Sequence, residues 1–381
     1  MYKTMLTMAL IAGAAACGGN PTSSAATATV AQPKAGLEVV TLASGFNHPW
    51  GLAILPDGTF LVTERTGDLR HVAADGTKSL PIKGVPKVYA EGQGGLLDVV
   101  LAPDYATSRM IYLSYAEPGP DNTAGTAVAR GVLNGQQLEN VQVIYRQVPK
   151  LQGGMHFGSR LAFDNQGHIF IAQGERNQKS LAQDLTKLQG KLVRLNLDGS
   201  IPQDNPFVGR DDARPEIFSY GHRNMQGLTV DPRTGTLWQT EHGPKGGDEI
   251  NLPQAGRNYG WPIATHGMDY TTGRPYPETQ GTTVKGLEEP FHMWKKSPAL
   301  SGMAFFTGQP GHPWNESLFL GALVERNLIR LSLDGDRIVG EERLLQDQGK
   351  RIRDVQVGSD GTVFVVTDED NGELIAIRKT R

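Results

Sequence analysis

An all-β fold, a six-bladed β-propeller with four-stranded antiparallel blades, is the architecture this sequence predicts. Three observations predict it. A unit of turn, β-rich run, second turn and further β-rich run recurs six times, starting near residues 56, 103, 164, 231, 314 and 359. Many of the runs are bounded by Asp-Gly or Asn-Gly steps, which favour tight hairpins. No amphipathic helical stretch recurs between the runs, which argues against a parallel α/β arrangement and leaves a two-sheet sandwich as the weaker all-β alternative.

The units follow one another in order. "LPDGTFLVTERTGDLRHVAADG" from Leu55 and "GSDGTVFVVTDEDNGELIAIR" from Gly358 are the clearest copies. "DNQGHIFIAQGERN" with "GKLVRLNLDGS", "DPRTGTLWQTEHGP" and "WNESLFLGALVERNLIRLSLDGD" supply three more, and "APDYATSRMIYLSYAEPG" with "TAVARGVLNG" a looser one. Unequal spacing places insertions between Asp184 and Arg214 and between Tyr259 and Pro290. The stretch 37–55 is expected to supply an outer strand that closes the last blade.

Composition bounds the function. The 381 residues include 47 Gly and 23 Pro and carry a formal net charge of −3, which leaves no electrostatic footprint for nucleic acid. Residues 1–17 read as a signal peptide: one lysine, an apolar run, then small residues. Cys17 is the only cysteine and follows Ala-Ala-Ala. It resembles the lipid-attachment site of a bacterial lipoprotein, with ordinary cleavage after a small-residue site as the alternative. An exported, periplasmic protein with a lipid anchor through Cys17 is the resulting expectation. Residues 18–36 form a Ser/Thr/Ala/Pro linker with little to bury, and 37–381 form a single propeller domain.

Loops from every blade of a propeller meet around its axis, so polar residues far apart in sequence converge there. Five polar segments qualify. In "GGMHFGSR", His156 stands among glycines that permit close approach, and its imidazole ordinarily titrates near neutral pH. In "SYGHRNMQGL", Arg223 offers a fork for carboxylates and Asn224 a paired donor and acceptor. In "EHGPKGGDEINLPQAGRNYGWP", acidic groups and loop carbonyls suit Ca²⁺ better than zinc or copper. In "GKRIRDVQ", Arg351 and Arg353 lie two apart and share a strand face, a pattern that suits an anion with several carboxylates or phosphates. In "EGQGGLLDVVLAP", Gln93 lies between glycines. Alone, each segment has an equally plain reading as a turn or a solvated loop. There is no Gly-rich phosphate loop, nucleophile elbow or zinc spacing.

Together these segments resemble the soluble pyrroloquinoline-quinone-dependent sugar dehydrogenases, and most closely the bacterial periplasmic aldose sugar dehydrogenase branch. The resemblance runs from about Leu37 to Lys379 on seven motifs: "HPWGLAILPDG", "EGQGGLLDV", "HFGSRLAFD", "GHRNMQGL", "EHGPKGGDEIN", "NYGWP" and "RIRDV". It implies a six-bladed propeller that oxidises C1 of an aldose to a lactone, with pyrroloquinoline quinone (PQQ) and Ca²⁺ as cofactors. It implies His156 as general base, with Arg223 also in the catalytic set. Arg223 and Asn224 would hold the quinone edge, and Gln93, Arg351 and Arg353 would contact the cofactor. Trp294 and the run Ser301, Gly302, Met303 would line the rim. The Gly243 and Pro244 carbonyls would bind the calcium that polarises the quinone. Glu249 and Tyr259 would hold a further calcium, with Asp269 a weaker candidate. The glycines by His156 would let a flat cofactor and a sugar lie against the backbone, and Glu175 would orient His156 or bond the sugar. Val324 stands where family members often carry a lysine, so either Arg326 substitutes or the cofactor is held less tightly. The implied partners are an aldose and an external electron acceptor, in a monomer or homodimer. A calcium-dependent propeller lactonase and a non-catalytic binding propeller are the competing readings. The lactonase would not need Arg351 with Arg353 or Arg223 with Asn224, and the binding propeller would need no general base.

Overall fold

The computed structural model describes residues 36–306 and 311–379. The signal segment, Cys17 and the linker up to residue 35 lie outside the described residues. The propeller begins at Leu37, and its strands form six separate antiparallel sheets. Blade 1 holds Pro49–Ile54, Phe60–Glu64 and Leu69–Val72, with only a bridge between Val72 and Lys78 in place of a fourth strand. Blade 2 holds Leu96–Leu101, Met110–Pro118, Thr123–Asn134 and Gln137–Arg146, and Leu151–Gln152 adds a short fifth. Blades 3, 4 and 5 each have four strands, and begin at Gly158–Phe163, Met225–Val230 and Leu300–Phe306. Blade 6 starts with Ile352–Val357 and ends outermost with Leu37–Phe46, which pairs antiparallel with Gly372–Lys379. The stretch 37–55 thus divides. Its first strand closes blade 6, and Pro49–Ile54 opens blade 1.

All six repeat turns join the first strand of a blade to its second. The region between Asp184 and Arg214 is only partly an insertion, because Lys191–Asn196 within it is the third strand of blade 3. Residues 259–290 contain no strand. Among the described residues no helix is long and apolar enough to cross a membrane.

Each blade is buried on both faces, so alternate residues of one strand enter different seams. In His168–Gln173, Ile169 and Ile171 pack toward blade 2, while Phe170 and Ala172 pack toward blade 4. The remaining seams repeat the pattern: Leu61 and Val99 between blades 1 and 2, Trp238 and Leu320 between 4 and 5. Phe319 and Val365 lie between 5 and 6, and Val366 and Val62 between 6 and 1. Each buried Val, Leu, Ile or Phe among them contributes about 1.5–3 kcal/mol of transfer free energy.

The six first strands touch in a ring around the axis. Every one of them breaks register near its start, at Pro49/Leu52, Leu96/Val99, Gly158/Leu161, Met225/Gly227, Leu300/Met303 and Ile352/Asp354. A bulge bends a strand and re-aims a side chain. Here the bulged stretch of one blade's first strand is met by a polar group of the blade beside it. Thr63 Oγ1 donates to the Leu97 carbonyl (2.5 Å), Ser114 Oγ to that of Ser159 (2.6 Å) and Ser301 Oγ to that of Ile352 (2.7 Å). The Asp354 carboxylate accepts from the Leu52 amide at 2.9 Å, tying blade 6 to blade 1.

Arg160 occupies the axis. Its guanidinium lies 3.0 Å from both Asp98 Oδ1 and Asp354 Oδ1, and donates to the Gln226 carbonyl at 3.2 Å. The Trp50 ring lies 4.1 Å away on its face. All three charged groups are buried. One cation between two carboxylates leaves an uncompensated negative charge. Burial therefore pushes Asp98 up to about 6, against the pull of Arg160, and raises Asp354 as well.

A carboxyl whose folded-state value is raised is most stabilising below its unfolded value near 4. That contribution is lost as pH rises through about 6. Arg160→Met leaves two buried carboxylates unpaired. Urea unfolding is expected to show a loss of about 3–5 kcal/mol at pH 8 and a smaller loss at pH 5.

Candidate functional site

Above Arg160 the axis opens into a polar cavity of ≈ 190 Å³. Trp50, Leu97 and Phe157 form its apolar wall, and Arg65, Arg351 and Arg353 bring three guanidinium groups to it. The Arg353 and Gln226 side chains come from the bulged residues of their strands and meet at 3.0 Å. Asp368 sits beneath the arginines. Its Oδ2 accepts from Arg353 at 2.7 Å and Arg351 at 3.0 Å, and Oδ1 pairs with His48 Nδ1 at 2.9 Å. Burial would raise Asp368, but Arg353 and Arg351 outweigh it and hold its carboxyl well below the usual carboxylate range. Burial also lowers Arg353, against the pull of Asp368. With three cations and one carboxylate, the wall favours a multiply charged anion.

Of the residues singled out in the sequence, Gln93, Asn224, Arg351 and Arg353 line this cavity. His156 stands beside it, next to the lining residues Phe157 and Gly158. Its backbone amide donates to Gln93 Oε1 at 2.9 Å, and its Nδ1 faces Glu175 Oε2 at 2.5 Å. That bond assigns the proton to Nδ1 and leaves Nε2 with no protein hydrogen bond among the described residues, as a base requires. Asn224 Oδ1 accepts the Gly158 amide at 3.2 Å, joining blade 4 to the His156 loop. His156 adopts φ 54°, in the left-handed region.

Three of the glycines around His156 meet protein. A Cβ on Gly154 would lie 3.0 Å from the Glu91 carbonyl, and one on Gly158 would lie 2.6 Å from the Gln173 backbone. A Cβ on Gly174 would lie 2.0 Å from the His156 carbonyl. These glycines let the 91–94 turn, the His156 loop and the end of a blade 3 strand stack backbone to backbone. Gly158 also lines the cavity, while Gly153 has open space beside it.

Several other expectations are corrected. Trp294 packs into the seam between blades 4 and 5 and donates Nε1 to Glu341 at 3.1 Å, away from the cavity. Ser301, Gly302 and Met303 form the bulge of blade 5. Ser301 bonds blade 6, a Cβ on Gly302 would lie 2.1 Å from Asp354 Oδ1, and Met303 enters the seam. The rim residue from this stretch is Ala299. Asp269 caps its own turn through the amides of Thr271 and Thr272. Val324 does line the cavity, whereas Arg326 does not. Arg326 is bound to Glu369 at 2.9 Å and to the Gly349 carbonyl. The additional cation is Arg65, whose Nη2 donates to the Gly92 carbonyl at 2.7 Å.

Arg223 is buried beside the cavity and donates Nη1 to the His242 and Gly243 carbonyls, each at 3.1 Å. The Pro244 carbonyl accepts from the Tyr270 hydroxyl at 2.9 Å. Both predicted metal-binding carbonyls thus already take one donor and keep one lone pair each. Glu249 lies across from Glu241, and Asn251 across from Gln239, on one sheet face. Asn251 Nδ2 bridges the carboxylates at 3.0 and 3.1 Å. Asn251 Oδ1 and Gln239 Oε1 are buried without a partner. Burial, then the Glu241 charge, raises Glu249 well above the carboxylate range. Two carboxylates and two unpartnered amide oxygens form a donor set suited to Ca²⁺. The Tyr259 hydroxyl is already used, donating to the Leu252 carbonyl at 2.7 Å, and the ring stacks on His222.

A closed propeller with a histidine–glutamate pair beside an arginine-lined cavity at one axial mouth has the form of an enzyme that acts on small molecules. A family model for glucose/sorbosone dehydrogenase matches residues 46–376. The aldose sugar dehydrogenase YliI of Escherichia coli K12 is 52% identical over 344 residues, covering 90% of this chain and 92% of that protein. The crystal structure of the soluble E. coli aldose sugar dehydrogenase in its apo-form superposes with a TM-score of 0.88 at 51% identity, covering 90% of this chain and 100% of that one. The PQQ-bound aldose sugar dehydrogenase of Streptomyces coelicolor gives a TM-score of 0.72 at 29% identity, covering 91% and 100%. The chain belongs to the glucose/sorbosone dehydrogenase family, and within it to the soluble quinone-dependent sugar dehydrogenases that its motifs resemble. It is a sugar oxidoreductase.

Asp368→Asn removes the carboxylate that separates Arg351 from Arg353. The variant is expected to lose about 1–3 kcal/mol in low-salt buffer. Thermal melts are expected to regain more of that loss with added sulfate or phosphate than wild type gains, and equal gains in both proteins would contradict the anion-site assignment.

Proposed function

We propose that the protein oxidises the C1 hydroxyl of an aldose to a lactone, with His156 as general base. The observation that supports this most directly is the His156–Glu175 pair set against an arginine-lined cavity. Nδ1 is held by Glu175, so Nε2 is presented as the acceptor for a hydroxyl proton. Arg65, Arg351 and Arg353 are placed to bind the carboxylates of PQQ, with Gln93 and Asn224 as orienting amides. PQQ, when bound, supplies the hydride acceptor, and calcium the Lewis acid that polarises it. The carbonyls of Gly243 and Pro244 would hold that calcium, while Arg223 spreads positive charge over the same loop. Glu249 with Glu241 would hold the further calcium. Tyr259 could join only through its main-chain carbonyl. Trp50 and Phe157 give the cavity an apolar wall against which a flat ring can lie. Export to the periplasm with a lipid anchor at Cys17 completes the reading, and an external acceptor removes the electrons.

The test is reconstitution. The mature protein is stripped of divalent metal, then supplied with PQQ with and without Ca²⁺, and dye reduction is followed with glucose and with a pentose. Activity that requires both additions is expected, with lactone as the product. Activity without calcium would remove the metal from the reading, and no sugar-dependent reduction would overturn it. His156→Ala is expected to lower turnover about 10²–10⁴-fold while PQQ binding changes little. Near-wild-type turnover in that variant would end the general-base assignment.

A further inference from the structure

Arg176 follows Glu175 in the chain and packs under the loop that carries His156. It is 2% exposed and adopts φ 58°, as strained as His156 at 54°. Its guanidinium donates to three carbonyls of the loop that carries His156. These are Met155 and Gly153 at close range and Leu151 at 3.4 Å. The guanidinium also stacks on Phe157, 3.6 Å from the ring centre. Its own backbone amide donates to the His156 carbonyl at 3.2 Å. Every residue from Met155 to Phe157 is therefore touched by Arg176.

We propose that Arg176 is a positioning residue for His156. Its planar fork fixes the left-handed loop that presents the imidazole, and its charge opposes proton uptake by the His156–Glu175 pair. This rests on the reading of His156 as base. A lysine could keep the charge but not the fork, because an ammonium is a point donor where the guanidinium spans several carbonyls. The charged and titratable groups around this loop are Glu175 on Nδ1 and Arg223, whose carbonyl takes the Glu175 amide at 2.9 Å. Tyr89 faces Arg176 and donates its hydroxyl to Glu91 Oε2 at 3.0 Å on the packed 91–94 turn, and Tyr276 lies within reach of the charges on Arg223 and Glu175. Burial pulls Arg176 down to about 10, opposed by Tyr89 and Glu175, so it remains charged through the neutral range.

The two roles separate in two variants, Arg176→Met and Arg176→Lys, studied as PQQ- and Ca²⁺-loaded mature enzyme. Loss of the charge makes the imidazolium easier to form. In Arg176→Met the acid limb of the kcat/KM profile is expected to move up by roughly half to one pH unit. The rate on the plateau is expected to fall roughly 10–100-fold, and PQQ is expected to remain bound at full stoichiometry. Arg176→Lys is expected to restore the limb but not the plateau. A wild-type plateau in Arg176→Lys would overturn the fork, and an unmoved limb in Arg176→Met would overturn the charge effect. Loss of PQQ binding in both variants would make Arg176 merely structural. If Arg176→Met does not fold, the plateau and limb of Arg176→Lys decide alone. His156→Ala is run alongside. If it keeps turnover, the base reading fails. If it is inactive while both Arg176 variants match wild type, only the present inference fails.

Discussion

Arg160 is the group on which the rest of the molecule closes. It belongs to blade 3, yet it touches Asp98 of blade 2, the Gln226 carbonyl of blade 4, Asp354 of blade 6 and the Trp50 ring of blade 1. A ring of wedge-shaped sheets leaves a hole at its centre, and the first strands present unpaired backbone groups to that hole. The two aspartates answer this need twice. Each binds the guanidinium with one oxygen and caps a neighbouring blade's amide with the other, at Leu161 and Leu52. A buried ion group of this kind is weak evidence for extra stability but strong evidence for register, because only one arrangement of the blades satisfies it.

The same bulges that feed this plug build the functional face. On a regular strand, Ile352 and Asp354 would share a face and Arg353 would take the opposite one. The break in pairing between Ile352 and Asp354 lets Arg353 join the cavity while Asp354 stays on the axis. Blade 4 does the same with Gln226, and blade 5 uses its bulge only for packing, which is why Ser301, Gly302 and Met303 serve structure and not the rim. One recurrent irregularity thus supplies both the seal below the cavity and the polar wall around it.

The architecture was legible because strand length, turn chemistry and repeat count all pointed one way, and the six turns fell where the repeats began. The closing strand was legible in part: the stretch 37–55 was expected to close the last blade, and its first half, Leu37–Phe46, does so. The site was legible where a motif carried its chemistry in short range: Gln93, Asn224, Arg351 and Arg353. It was not legible where the third dimension assigns the role. Asp368 lies in an acidic turn that reads as solvated, and only blade 6 geometry brings it under the arginines. Arg65 sits in a common hairpin turn. Trp294 looked like a rim aromatic, but its strand is the outermost of blade 4, so its indole faces the next blade. The glycines near His156 marked close approach: Gly154 and Gly174 meet neighbouring backbone, and Gly158 both meets backbone and lines the cavity. Glycine reports lack of room, and a neighbouring backbone uses that room as readily as a ligand.

The pairing of Leu37–Phe46 with Gly372–Lys379 has a consequence for how the molecule comes into being. The first strand of the described residues completes the last sheet, so the ring cannot close until Gly372–Lys379 is available. Five blades can assemble from neighbouring sequence, but the sixth joins segments more than 300 residues apart. Contacts of that span come late, because the entropy of closing the loop must be met before they form. Until then blades 1 and 6 each present a bare apolar face, and the axial charges lack part of their shell. Aggregation through those two faces, and protection by whatever holds them apart, is therefore built into the order in which this chain emerges.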